Sequence, residues 1–177
     1  MFVISGGQTG VDQAALRAAR RAGLKTGGWA PYGWKTEDGP ERKLLQSYGL
    51  QEHPSRNYPD RTRANADMAD GTLWLGSGDT NGYWCTHNAC RTYKKPFLAI
   101  VEFTDEEADK ASEWIAQKSI KTLNVAGNRE SSSPGIGDKA EAWLYRLFTG
   151  EPECTSTTSL ECSTNISSEE RPGDGTT

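Results

Sequence analysis

Long apolar runs are missing from this chain of 177 residues. A helix that spans a bilayer needs about 20 consecutive apolar residues, so no membrane contact is expected. The opening stretch Met1-Phe2-Val3-Ile4-Ser5-Gly6 has no basic segment, and its apolar part is too short for a secretory signal. The sequence therefore predicts a cytoplasmic protein. Histidine is scarce, with only His53 and His87, and the four cysteines Cys85, Cys90, Cys154 and Cys162 form no Cys-x-x-Cys pair. A structural zinc site is thereby excluded and no protein metal ligand is expected. Cys85 and Cys90 read as small, reduced helix residues.

An excess of basic residues is lacking too. The formal net charge is -4, and the segment 151–177 holds six of the 24 acids but one of the 20 bases. Without it the body is close to neutral, which excludes a general nucleic-acid binder and leaves a small anion as the expected partner. The same segment is rich in Ser, Thr, Glu and Pro and nearly devoid of large apolar side chains. It cannot bury enough surface to offset its ordering entropy, so a disordered acidic tail is expected after a single domain over 1–150.

Within that body short apolar runs alternate with helical patterns. Strands are expected at Phe2–Ser5, Thr26–Ala30, Thr72–Leu75, Phe97–Glu102 and Thr122–Ala126, with helices after each of the last three. After the first strand, Val11, Ala14, Ala15, Ala18 and Ala22 form a helical stripe that Gly23 ends. Thr104-Asp105-Glu106-Glu107 has the spacing of a capping box, and Ile136, Ala140, Trp143, Leu144 and Leu147 line a final helix. Strands that alternate with helices predict an α/β, Rossmann-like, doubly wound fold, its mostly parallel sheet covered by helices on both faces.

In such a sheet ligands bind at the carboxyl ends of the strands. Three strand-to-helix turns there are unusual. The first, Ser5-Gly6-Gly7-Gln8-Thr9-Gly10, can bring an anion close to backbone N–H groups at a helix start, with Thr9 as an added donor. In the alternative it is a tight connection, with Thr9 as N-cap and Asp12 completing a capping box. The second turn offers Ser77, Gly78 and Thr80, and the third Gly127, Asn128, Arg129, Glu130 and Ser131. Arginine suits a phosphate; the alternative pairs Arg129 with an acid. The loop Gly27 to Gly39 holds Trp29, Trp34 and Lys35 among glycines, and reads either as a lid that stacks on a planar ring or as tryptophans packed on the body. Arg61 and Asn65 form a further polar cluster. Neither GxGxxG nor GxxxxGK[ST] is present, which argues against a P-loop NTPase and against a dinucleotide oxidoreductase.

Several of these strings occur in order in one family. Ile4-Ser5-Gly6-Gly7-Gln8-Thr9-Gly10-Val11-Asp12, Gly28-Trp29-Ala30-Pro31, Glu37-Asp38-Gly39, Arg61-Thr62 with Asn65, Asp70-Gly71-Thr72, and the run from Leu123 to Ser131 with Pro134-Gly135-Ile136 resemble the provisionally named molybdenum carriers. The resemblance spans about Phe2 to Gly150. It implies a Rossmann-like fold related to lysine-decarboxylase-like proteins, cytokinin-activating phosphoribohydrolases and nucleotide sensors. It also implies a role in holding molybdenum cofactor, whose dithiolene and not the protein would hold the metal, and a homo-oligomer. The PGGxGTxxE motif of the phosphoribohydrolases is absent, and Arg129-Glu130 is only a chemical echo of their catalytic pair. No catalytic residue is assigned. A carrier of a phosphate-bearing molybdopterin is the expected function; a nucleotide-processing enzyme, with Glu130 or Asp12 as its acid, and a nucleotide sensor are the alternatives.

Overall fold

The computed structural model describes residues 1–151. The expected tail and the cysteines Cys154 and Cys162 fall outside them, apart from Glu151. Eight strands and six helices follow one another as β1 (Phe2–Ile4), α1 (Val11–Arg21), β2 (Lys25–Ala30), β3 (Lys35–Thr36), β4 (Gly39–Pro40), α2 (Arg42–Ser47), β5 (Leu50–Glu52), α3 (Tyr58–Met68), β6 (Gly71–Leu75), α4 (Asn81–Thr92), β7 (Phe97–Ile100), α5 (Asp105–Gln117), β8 (Thr122–Gly127) and α6 (Ile136–Thr149). Six of the strands form one parallel sheet in the order β5-β2-β1-β8-β6-β7; β3 and β4 form a small antiparallel hairpin.

The chain winds outward from β1 to β5, crosses to β6 and β7, and returns to insert β8 between β1 and β6. This reversal of winding places the ends of β1, β8 and β6 side by side. It is the position at which an open parallel sheet leaves a crevice.

Helices α1, α5 and α6 cover one face, where Val11, Ala14, Ala15 and Ala18 pack with Ala108, Ala111, Ala140, Trp143 and Leu144 over Val3, Leu73, Leu75 and Val125. Helices α3 and α4 meet on the other face through Ala66, Ala89 and Cys90. Val11, Ala14, Ala15 and Ala18 of the expected stripe are fully buried, because small side chains let a helix lie close to the sheet, while Ala22 is the half-buried C-cap of α1. Gly23, at φ 72°, ends α1 with Leu24 N–H donating to the Ala19 carbonyl. Among the described residues no helix is long and apolar enough to cross a membrane. The described Cys85 and Cys90 carry free thiols.

Two expectations about elements need correction. The strand predicted at Phe97–Glu102 stops at Ile100, because its partner β6 stops at Leu75 and the edge strand has no other neighbour. Val101 beyond it is 66% exposed. The five expected strands also omit β5 and the hairpin. β5 is three residues long, too short for a periodicity to register.

Candidate ligand site

The first turn is crowded from below and above by the protein itself. A Cβ on Gly6 would lie 1.4 Å from Nη1 of Arg61, and one on Gly7 would meet Leu45 and Leu50 at 2.8 and 2.9 Å. Gly10, at φ 76°, lies against the third turn, where a Cβ would come within 2.6 Å of the Asn128 carbonyl. That carbonyl accepts from Val11 N–H at 3.2 Å, and Gln8 Oε1 accepts from Thr9 N–H at 3.0 Å. The glycines thus admit close-packed protein groups, and several of the amides expected to cradle an anion are already bonded.

The capping box does not form. Gly10 is the N-cap of α1, and Asp12 points to Arg61 instead, 3.3 Å from its Nη1, while accepting from Gln8 N–H at 3.2 Å. Asp12 is 5% and Arg61 6% exposed, so the pair is desolvated. Burial pushes the Asp12 carboxyl above its ordinary range, opposed by the charge and hydrogen bond of Arg61. Arg61 is delivered by α3, where Pro59 occupies the first turn as a helix start permits. Its guanidinium also lies over the ring of Tyr58, 4.7 Å from the centroid, and donates through Nη2 to the Tyr58 hydroxyl. The Nε of Arg61 is buried without a partner.

Around this pair a cleft of about 60 Å³ is lined by Gly6, Gln8, Asp12, Tyr58, Arg61 and Asn65 on one side and by Trp74, Thr86, Asn124, Gly127 and Arg129 on the other. Arg129 lies over the same phenol ring, 5.2 Å from its centroid. A second hollow of about 170 Å³ shares Tyr58 and Arg61 and adds Tyr32, Lys35 and Arg56. Cationic groups therefore dominate both hollows, with Tyr58 on the wall between them.

Of the residues expected to bind a ligand, Gly6, Gln8, Arg61, Asn65, Gly127 and Arg129 meet in the first cleft and Lys35 lines the second. Asn65 has a structural task as well, since its amide accepts from Trp29 N–H at 2.8 Å and donates to the Trp29 carbonyl at 3.1 Å, tying α3 to β2. The remaining residues lie elsewhere. The indole of Trp29 packs edge-on to His53 at 5.5 Å. Trp34 is 6% exposed, packed with Leu16, Ala30, Leu45 and Leu50. A lid of exposed tryptophans is therefore not what the loop forms.

The second turn is mainly a helix start. Thr80 caps α4, accepting from Tyr83 N–H at 3.1 Å, while Gly78 faces the Tyr83 ring and Ser77 lines a separate groove. In the third turn Arg129 and Glu130 diverge. The Glu130 carboxylate accepts from Gly135 and Gly137 N–H, the latter at 3.0 Å, and so fills the start of α6 that had been expected to hold an anion. Asn128 is buried, donating to Ser133 Oγ at 3.1 Å, and lines a larger groove of about 790 Å³ between the end of β7 and α6.

Thr9, Arg129 and Ser131 do converge, but on a residue of the protein. Thr9 Oγ1 donates to Oε2 of Glu37 at 2.6 Å, Ser131 N–H to the same oxygen at 3.3 Å, and Ser131 Oγ to Oε1; Arg129 Nη1 lies 3.9 Å from Oε1. Glu37 N–H in turn donates to Gln8 Oε1 at 2.9 Å. Sequence reasoning did not single out Tyr58, Thr86, Asn124 or Glu37 as site residues. Glu37 stood within the quoted Glu37-Asp38-Gly39 string and Asn124 within the run from Leu123 to Ser131, which were their signals; Tyr58 and Thr86 come together with them only through the fold.

Comparison with known proteins agrees with the resemblance of the motifs. No functionally curated protein matches the chain. A solved crystal structure, of a protein provisionally named a molybdenum carrier from Syntrophus aciditrophicus SB, superposes with a TM-score of 0.75 at 35% identity over 83% of this chain and 93% of that one. The model of the circularly permutated YpsA SLOG family matches residues 3–148. Most of the described chain is covered by both, and it belongs to the circularly permutated YpsA SLOG family, in which its molybdenum-carrier resemblance also lies.

Proposed function

We propose that the protein binds a phosphate-bearing small molecule in the cleft between α3 and the ends of β1 and β8, and that a molybdopterin-type cofactor is the ligand it carries. The observation behind this reading is Arg61, buried beside Asp12 with a free Nε donor and sharing the Tyr58 ring with Arg129. A buried donor without a partner costs stability unless a ligand satisfies it. Two guanidinium groups lining one cleft suit a phosphate, which arginine can bind through two parallel bonds. The name of the Syntrophus protein supports molybdenum as the cargo.

The fit of the cofactor divides into two parts. The donor set matches its phosphate. The cleft of about 60 Å³ does not match its ring system, since small-molecule sites measure roughly 300–1,000 Å³. Tyr58 and Arg61 line both this cleft and the hollow of about 170 Å³, so joining the two requires Tyr58 to turn aside. When bound, the cofactor would bring its own metal ligands, so the chain supplies orientation and exclusion of water. In the expected experiment, protein incubated anaerobically with molybdopterin-type cofactor retains pterin fluorescence and molybdenum through gel filtration, and Arg61→Met lowers retention by about tenfold or more. Equal retention by the variant, or none by either protein, overturns the reading.

Asp12 favours a second reading, hydrolysis of a nucleoside monophosphate at its N-glycosidic bond. A carboxyl group raised by burial and hydrogen-bonded to arginine within the cleft has the character of an acid–base group. Base release from a nucleotide panel, abolished by Asp12→Asn at unchanged melting temperature, would establish it.

A further inference from the structure

The Glu37 carboxylate occupies a place where the first and third turns both aim donors at a common point. Its Oε2 receives Thr9 Oγ1 and Ser131 N–H, and its Oε1 receives Ser131 Oγ and faces Arg129. Three hydrogen bonds and a guanidinium, drawn from two strand ends, make a receptor for an oxyanion. Glu37 comes to it from outside the sheet, at the tip of the two-residue strands β3 and β4. The hairpin itself adds two local bonds, Thr36 Oγ1 to the Gly39 carbonyl and Asp38 N–H to Thr36 Oγ1. Beyond these, Gln8 Oε1 is the chief anchor of its tip.

We propose that Thr9, Ser131 and Arg129 form an anion site for the terminal phosphate of the ligand, and that Glu37 holds this site in the ligand-free protein as a displaceable latch. This assignment rests on the reading of the neighbouring cleft as the place of a phosphate-bearing ligand and extends it. A phosphate monoester has three terminal oxygens where the carboxylate has two, so it can take all of these donors and leave one oxygen for water or Arg61. Gln8 lines the cleft and also bonds Thr9 N–H and Glu37 N–H through one oxygen. Release of Glu37 therefore loosens the hairpin tip and frees Arg129, which lines the cleft and lies over the Tyr58 ring, to turn towards the ligand.

Hydrogen bonds also decide the protonation of the latch. Desolvation raises the Glu37 carboxyl, but the bonds from Ser131 and Thr9 and the charge of Arg129 outweigh it and hold the group below its ordinary range. At neutral pH the latch is charged, and it competes with phosphate as one anion with another.

The experiment uses the full chain and inorganic phosphate as the probe, with binding followed by ³¹P NMR. Because the donors are competent only in the unlatched fraction, the apparent dissociation constant is the intrinsic one divided by that fraction. Glu37→Ala and Glu37→Gln are expected to bind phosphate about tenfold tighter than the unmodified protein, and adding Ser131→Ala to either is expected to abolish the gain. In the unmodified protein saturating phosphate should return the Glu37 carboxyl titration, read by ¹³C NMR, towards the ordinary glutamate range; this readout needs no variant to fold. Unchanged or weaker binding by both Glu37 variants, or a Glu37 titration indifferent to phosphate, overturns the latch. If binding is instead insensitive to Ser131 and Glu37 but lost in Arg61→Met, the latch fails while the cleft reading stands. If phosphate binds none of these proteins, both fail.

Discussion

Gly6 lies so close under Arg61 that its missing side chain is a requirement of the protein and not of a ligand. A methyl group there would overlap Nη1 and come within 2.7 Å of Asp12 Oδ2. Gly6→Ala is therefore expected to push Arg61 off Asp12 and leave a buried carboxyl without its partner, a loss of about 3 kcal/mol. Urea unfolding measures it directly, and a change below about 1 kcal/mol would mean that Arg61 finds another position. Gly10→Ala should cost more. Its obstacles are backbone atoms of residues 128–130 at 2.6 to 2.9 Å, and its φ of 76° is unfavourable for alanine.

At the scale of elements, helix starts account for much of what had the appearance of ligand chemistry. Thr80, Thr104 and Glu130 each accept a backbone N–H at the start of a helix, of α4, α5 and α6 in turn. Glu130→Ala leaves the Gly135 and Gly137 amides without their acceptor, and its expected cost is about 1–2 kcal/mol. Glu130→Gln keeps the acceptor but loses the charge that favours a helix start, so it should cost less than half as much. Thermal unfolding of the two variants side by side checks the order. The sequence identified these elements well where a period was long enough: α1, α5 and α6 were legible in their stripes and β6 in its apolar run. It did not reveal β5, or the helical setting of Arg61. Helix α3 reads Tyr-Pro-Asp-Arg-Thr-Arg-Ala-Asn-Ala-Asp-Met, with only Arg61, Asn65 and Ala66 buried. A helix that buries arginine and asparagine carries no apolar stripe to be seen.

At the scale of the whole molecule, the winding of the sheet explains why half of the site was legible and half was not. The turns after β1 and β8 were recognisable as special because each is locally odd, and the parallel order of their strands makes them neighbours. Which side chains fill the space between them depends on residues distant in sequence. Arg61 reaches Asp12 across 49 positions and Ser131 reaches Glu37 across 94, and no local pattern records either pairing. Carboxylates held by bonds to residues distant in sequence also set the response to acid. Asp70 is held below its ordinary range first by the N–H of Thr122, whose effect exceeds the opposing desolvation, and further by the weaker effect of the Lys121 N–H, and Glu37 is low for the reasons given above. Groups lowered on folding contribute stability above their unfolded pKa values, roughly 4, and lose it as pH falls through the lower folded values. Asp12 is raised and acts in the opposite sense: its contribution is present at low pH and lost as pH rises through its folded value. The melting temperature is therefore expected to fall below about pH 4.5, with Asp70→Asn flattening that acid limb and leaving the neutral region nearly unchanged in slope. An acid limb identical in the variant would show that Asp70 is not among the groups responsible.

The crowding of the first turn bears on how such motifs should be transferred between proteins. Each glycine of Gly6-Gly7-Gln8-Thr9-Gly10 is matched to a neighbour: Arg61, the pair Leu45 and Leu50, and the backbone of 128–130. A second protein with the same string inherits a steric bargain among four segments of chain. It reports that those segments still meet, and so predicts architecture over long distances in sequence. Under the proposed reading, the identity of the ligand would be written in the less conspicuous positions, in the acid at the hairpin tip and the phenol that two arginines share, and relatives that share the glycines while differing there are the natural places to look for a change of cargo.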